Sequence, residues 1–215
     1  MVEHYIHRGL AKKNFKENTI KAFKYSFKKK YGIETDLHAT KDNQIVCFHD
    51  FTLKRKFKLN KGIKDINYLD LKNISKNKKA EIPLLKDLLK ITKNKYPLLL
   101  EIKPLFKKKN LIDIIKLTKN IKKYGLISFK ENNLINLYKI NKKLPLGMLF
   151  LASASFKKIK LKSKKKHVKF LVLEKKFLPN KNLNLIKKRI YYYTIKNKDL
   201  FKKYREKKNL IFENL

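Results

Sequence analysis

Short apolar runs recur along the chain near residues 5, 34, 100, 127, 148, 170, 192 and 211, and most intervals between them carry helical spacing. Strand, helix and strand within about thirty residues is the unit from which parallel sheets are built. Alternation at this count predicts an α/β chain folded as a (β/α)8 TIM-type barrel, with a doubly wound open sheet as the alternative. The chain ends on its last strand, with no helix expected after it. At 215 residues it is small for such a barrel, which typically runs to about 250. With 43% hydrophobic residues it can still bury a real core, and residues 1–215 are expected to form a single domain.

The first strand is expected over residues 3–7, ending in Arg8-Gly9 and a polar turn. A helix then starts at Glu17-Asn18-Thr19, with Ile20, Phe23 and Phe27 on one buried face. The second strand covers about residues 32–37. The rhythm breaks after it. Thr40-Lys41-Asp42-Asn43 has turn chemistry, residues 44–48 are extended again, and residues 51–81 read as a long irregular stretch. A hairpin and loop insertion over about residues 38–82 is therefore expected. Pro83 opens a helix with Leu84, Leu85, Leu88, Leu89 and Ile91 on its apolar face, and residues 98–103 form a strand closed by Pro104. Later helices are expected at 111–123, 132–142, 183–188 and 199–207, and strands at 126–129, 146–150, 168–173, 190–194 and 210–212. Residues 156–166 read only as a basic segment.

A formal charge of +40 invites a nucleic-acid reading. Yet the only arginines are Arg8, Arg55, Arg189 and Arg205; the excess is lysine, spread from end to end among abundant Asn and Ile. Recognition surfaces favour the bidentate arginine fork. The pattern is that of a residue-usage bias, so no specific nucleic-acid partner is expected. A weak, salt-sensitive affinity for polyanions or anionic membrane surfaces stays open. The single Cys47 excludes an internal disulfide and suits a reducing compartment. No apolar run is long enough to span a bilayer and no basic-then-apolar leader opens the chain, so a cytoplasmic location is expected. Oligomeric state is not indicated.

Glu34 and Asp36 lie two apart in a strand, which sends both carboxylates to one face. Buried like charges so close need a shared proton or a cation, and a divalent ion on oxygen ligands is the simplest solution. For the pair alone, a solvated strand face is the alternative. Glu101 and Lys103 share a face at the end of a Leu-rich strand, where the alternative is a buried ion pair. In a barrel the active site lies at the carboxyl ends of the strands. His7, Arg8, Glu34, Asp36, Glu101 and Lys103 all fall at such ends, from three strands, and the hairpin would deliver His49 beside them. His38 shares the Asp36 face and reads as a support rather than a ligand. His4 and His167 read as structural; Glu174 and Glu213 lie at strand ends, where either could touch substrate, and read rather as loop or chain-end charges.

Over about residues 4–104 the order and spacing of several motifs resemble the glycerophosphodiester phosphodiesterase family. They are His7-Arg8-Gly9, Glu17-Asn18-Thr19 with Ala22-Phe23, Ile33-Glu34-Thr35-Asp36, and Thr40-Lys41-Asp42. They continue with Ile45-Val46, His49-Asp50, Thr52-Leu53, Arg55, Ile82-Pro83-Leu84 and Glu101-Ile102-Lys103. The second half matches more weakly, at Ile127-Ser128-Phe129, Leu146-Gly147 and Tyr192-Tyr193-Thr194, where the family often has Trp in place of Tyr193. Phe51 stands where the family commonly has a polar residue, a change expected at the pocket rim.

The resemblance implies a barrel with a small insertion after the second strand. It also implies one divalent cation, calcium or magnesium, held by Glu34, Asp36 and Glu101. Arg8 and Lys103 would hold the phosphate charge, and His7 and His49 would be the acid–base pair. The substrate implied is a small glycerophosphodiester, split to an alcohol and glycerol 3-phosphate. Two alternatives stand beside it: a polyanion-binding protein on a catalytically retired barrel, and a related phospholipase or sphingomyelinase-like phosphodiesterase.

Overall fold

The apolar runs become strands of a closed barrel in a computed structural model that describes residues 2–12, 16–76 and 80–215. In chain order the elements are β1 (His4–His7), α1 (Ile20–Lys28), β2 (Gly32–Ala39), β3 (Ile45–Cys47), α2 (Lys54–Phe57), α3 (Tyr68–Lys76), α4 (Leu85–Thr92) and β4 (Leu98–Ile102). There follow α5 (Lys108–Thr118), β5 (Tyr124–Ser128), α6 (Glu131–Ile140), β6 (Leu146–Phe150), α7 (Phe156–Ser163), β7 (Phe170–Glu174), β8 (Ile190–Ile195), α8 (Lys198–Tyr204) and β9 (Asn209–Phe212). Neighbouring barrel strands are parallel. β1 closes the ring by pairing with both β2 and β9, Tyr5 lying opposite Gly32 on one side and Ile211 on the other. No open edge is left in the ring, so the open-sheet alternative falls. β3 pairs antiparallel with the end of β2, Leu37 opposite Cys47, and stands outside the barrel.

Strand pleating divides the apolar side chains into two layers. Outward-facing residues such as Ile33, Leu100, Leu126 and Leu171 pack under helices, against Phe23, Leu88, Leu111 and Leu134. Helix α1 shows how the sequence places these. Thr19 caps it, its hydroxyl accepting from the Ala22 amide at 3.2 Å, and Ala22, Phe23 and Phe27 form the buried face. Inward-facing residues form a separate cluster that includes Tyr5, Leu99, Phe170, Val172 and Tyr191. Phe170 fills the barrel floor across two glycines. A Cβ on Gly147 would stand 2.2 Å from its ring, and one on Gly125 2.7 Å. Gly147→Ala is therefore expected to destabilise the fold by about 1–3 kcal/mol, the usual cost of overpacking, and Phe170→Leu in the same chain to restore part of it. Thermal denaturation of the single and double variants checks this; a wild-type melting temperature for Gly147→Ala would mean the ring has room to move.

Three expectations need correction. Residues 51–81 are not irregular: they hold α2, a 3-10 turn at Ile63–Asp65 and α3, although residues 77–79 lie outside the described residues. Val46, Phe48, Leu53, Ile63, Leu71 and Ile82 give this insertion a small core of its own. Its helices escape sequence reading because α2 is a single turn and α3 buries only Leu71 and Ser75. The basic segment at 156–166 is helix α7, capped by Ser155 and burying only Ile159 and Ser163 among its lysines. The helix expected at 183–188 is instead a 3-10 turn at Lys181–Leu185. The polar turn expected after Arg8-Gly9 includes residues 13–15, outside the described residues. No helix among the described residues is long and apolar enough to cross a membrane.

Candidate active site

Register brings the acidic residues together. β1, β2 and β4 are neighbours, with His7 opposite Glu34 and Asp36 opposite Glu101. His7 ends β1 and Glu101 lies one residue from the end of β4, and alternation turns their side chains and those of Glu34 and Asp36 inward. One oxygen from each of Glu34, Asp36 and Glu101 lies within 4.8 Å of the others, and all three residues are buried. Arg8, in the turn after β1 with φ of 56°, puts Nε 3.2 Å from Asp36 Oδ2. Lys103 Nζ lies 3.5 Å from Asp36 Oδ1 and 3.3 Å from Glu101 Oε1. Asn18 is 2% exposed; it donates to Asp36 Oδ2 at 3.0 Å and accepts from Thr35 Oγ1 at 2.7 Å.

These partners are unevenly shared, and the carboxyl groups differ accordingly. Burial opposes ionisation of Asp36, but Arg8 and Lys103 outweigh it and hold its carboxyl below the usual range. Burial, then the charges of Asp36 and Glu101, push Glu34 well above the usual carboxylate range. Burial and Asp36 likewise push Glu101 up to about 7, against the pull of Lys103. Oε2 of Glu34 is buried with no hydrogen-bond partner among the described residues. An unpartnered buried oxygen, in an all-oxygen set that carries more negative charge than Arg8 and Lys103 balance, fits a hard divalent cation. This buried triad can hold a metal ion.

Each of the two histidines expected at the site has a carboxylate on Nδ1. His7 Nδ1 lies 2.9 Å from Glu213 Oε2, and its Nε2 lies 3.8 Å from Glu34 Oε2. The bond from His7, with burial opposing it and Lys196 assisting at 3.4 Å, keeps Glu213 below the usual carboxylate range. An ionised Glu213 can only accept, so Nδ1 is the donating nitrogen and Nε2 is the one turned to the cleft. His49 follows β3 in the insertion, as the hairpin expectation required, with Nδ1 2.7 Å from Asp50 Oδ1. Burial lowers its pKa, while the charge of Asp36 and the bond to Asp50 act the other way. Burial pushes His38 down to about 4, leaving it neutral, and its Nε2 donates to the His49 carbonyl at 3.3 Å. His38 thus supports the His49 loop. His4 and His167 lie elsewhere, the first edge-on to Phe201 and the second 3.1 Å from Glu131.

His7, Arg8, Glu34, His49, Glu101 and Lys103 line one cleft of about 570 Å³, closed on the other side by Ile127, Phe129, Leu149, Tyr193 and Ile211. All seven residues expected at the site are therefore brought together, Asp36 through its contacts with Arg8 and Lys103, which line the cleft. Sequence reading missed Asn18 as a member and took Glu213, which it placed at a strand end within possible reach of substrate, rather for a chain-end charge. Asn18 stood inside a quoted motif, and Glu213 at the end of the last strand, which barrel closure sets beside the first.

Residues 7–208 match the glycerophosphoryl diester phosphodiesterase family. The human lysophospholipase D GDPD1 is 43% identical over 70 residues, a stretch that is 32% of this chain and only 22% of the human protein. The glycerophosphodiester phosphodiesterase of Thermotoga maritima superposes with a TM-score of 0.83 at 21% identity, covering 99% of this chain and 94% of that one. A phosphodiesterase of Oleispira antarctica, solved with its product sn-glycerol-3-phosphate, superposes with a TM-score of 0.82 at 19% identity, covering 98% and 92%. With a match that runs from the last residue of β1 to the threshold of β9, on a barrel shared end to end, the chain belongs to the glycerophosphoryl diester phosphodiesterase family.

Proposed function

We propose that this protein hydrolyses glycerophosphodiesters to an alcohol and glycerol 3-phosphate at the carboxyl end of its barrel. The observation that carries this is the buried Glu34, Asp36 and Glu101 triad with its unpartnered oxygen, bracketed by Arg8, Lys103 and two histidine–carboxylate pairs. The product bound to the Oleispira phosphodiesterase supports the substrate class. Glu34, Asp36 and Glu101 would hold one calcium or magnesium ion. Such an ion, when bound, supplies positive charge to the phosphoryl oxygens.

Arg8 and Lys103 hold and orient the phosphodiester through charge-assisted hydrogen bonds. His7 takes the proton of the attacking hydroxyl on Nε2, the nitrogen its bond to Glu213 leaves free. That hydroxyl is water or the substrate's glycerol 2-hydroxyl, the second giving a cyclic phosphate that water then opens. His49 gives a proton to the leaving alcohol oxygen. The reading includes a cytoplasmic protein acting on a small molecule, without a specific nucleic-acid partner.

A second reading, a lysophospholipase D, is favoured by the apolar side of the cleft, where Leu151 both lines the wall and is 59% exposed at its edge, and by the human relative's name. One assay tests both. Glycerol 3-phosphate release is measured from several glycerophosphodiesters, and headgroup release from a lysophospholipid, with magnesium, with calcium and in excess chelator. Turnover with an ion and none in chelator is expected. Full turnover in chelator, with no metal bound by elemental analysis, would remove the metal from the reading; no cleavage of any diester would remove the activity.

A further inference from the structure

A chain of charge-assisted hydrogen bonds joins the insertion to the barrel, and Arg55 is its middle link. Helix α2 is pinned in the insertion core by Leu53, which is fully buried, and Phe57. This turns Arg55 back over the loop that carries His49. Its guanidinium closes as a fork on Asp50, Nε to Oδ2 at 2.6 Å and Nη2 to Oδ1 at 2.9 Å. The same Nη2 reaches Glu17 Oε1 at 3.1 Å, at the entry to α1 on the barrel. Glu17 is itself held by Arg8 at 3.3 Å and Lys56 at 3.0 Å. On the other side, Asp50 Oδ1 holds His49 Nδ1.

We propose that Arg55 is a positioning residue for the hydrolysis: it aligns His49 through Asp50, using Glu17 as the anchor on the barrel. The proposal rests on the reading given under the previous heading. Isolated ion pairs at the surface contribute little, and Arg55 is 56% exposed. Here, however, one planar group grips two carboxylates, and no ammonium can reproduce that fork. Without Arg55, Asp50 would keep only His49 among its described side-chain partners; His38 would still hold the His49 backbone, but no described bond would tie the two side chains to the barrel wall. Glu17 would keep both Arg8 and Lys56, so the loss falls on the His49 side. Imidazole orientation set by a carboxylate that is itself held is the arrangement by which supporting groups tune a proton carrier. Arg55 also lines the cleft, and direct contact with substrate is the competing role.

The experiment is a double-mutant cycle. Steady-state kinetics are measured for wild type, Arg55→Met, Arg55→Lys, Asp50→Asn and the Arg55→Met/Asp50→Asn double variant. Two substrates are used, a glycerophosphodiester with an alkyl leaving group and one with a nitrophenolate. Arg55→Met is expected to lower kcat on the alkyl substrate by about 10- to 100-fold, less on the nitrophenyl one, with KM and melting temperature little changed. Arg55→Lys should recover only a small part. In the Asp50→Asn background, Arg55→Met should cost little more, because the two act on the same ring. A loss carried by KM, equal on both substrates and undiminished in the Asp50→Asn background, would overturn the proposal in favour of substrate contact. Wild-type kinetics for Arg55→Met would overturn it outright. In either case the wild-type enzyme still turns over, which separates this failure from failure of the functional reading, where no diester is cleaved by any of the proteins.

Discussion

Glu101→Gln is expected to lower phosphodiester hydrolysis by at least ~10²-fold, the scale of losing one well-placed electrostatic contact at a reacting centre. The substitution keeps the volume of the side chain and an oxygen for Lys103, which lies 3.3 Å from Glu101 Oε1. It removes one of three negative charges whose oxygens gather within 4.8 Å. The stability of the metal-free protein should move in the opposite sense from its activity. Burial and the charge of Asp36 already disfavour an ionised Glu101, so neutralising it relieves repulsion, and the melting temperature in excess chelator is expected not to fall. The stabilisation that added magnesium or calcium gives the wild type, about 2.7 kcal/mol at a hundredfold excess over Kd, should shrink or vanish in the variant. Activity and thermal shift are thus two independent readings of one role. A variant that melts lower in chelator, yet keeps the full metal-induced shift, would make Glu101 the structural partner of Lys103 rather than a ligand.

That alternative was visible in the sequence, and the register of the sheet is what now weighs against it. A strand ending Glu-Ile-Lys can always be read as an internal ion pair. Only the register of β2 on β4 sets Asp36 opposite Glu101, so that Lys103 answers two carboxylates, while Glu34 Oε2 is left without a hydrogen-bond partner among the described residues. The barrel itself was legible because its apolar runs are short, separated and repeated, and parallel strands at that spacing have few ways to close. The insertion was less so. Its core draws on residues as far apart as Val46 and Leu84 at irregular intervals, and α3 turns mostly lysine and polar side chains to solvent. Glu213 lies 206 residues from His7 and gave no local signal; it is a neighbour only because β9 returns to β1. Asn18 has the opposite history. Its place beside a helix cap reads as turn chemistry, whereas the fold uses its amide to tie Thr35 to Asp36 along β2.

His49→Ala is expected to separate chemistry from fold most sharply. The ring is 30% exposed on a loop outside the barrel, and among the described residues its one side-chain hydrogen bond is to Asp50, which Arg55 continues to hold. The loop itself is fixed through the backbone, by His38 bonding to the His49 carbonyl. The melting temperature should therefore stay within a few degrees, since changes at such positions usually cost under about 0.5 kcal/mol. Loss of the proton carrier should nonetheless slow turnover by roughly 10²- to 10⁴-fold. The size of the loss should depend on the leaving group. An alkyl alcohol needs a proton to depart, whereas a nitrophenolate leaves without one, so the nitrophenyl substrate should lose far less. Burial, the largest influence on His49, favours the neutral imidazole and would suit a base; Asp36 and Asp50 favour the charged form that an acid requires. The comparison of the two substrates decides between them. An equal loss on both would make His49 a base or a binding group, and the proton donor would then be His7, whose Nε2 faces the same cleft. A variant that unfolds would mean that the ring, and not the backbone of its loop, holds the insertion against β2.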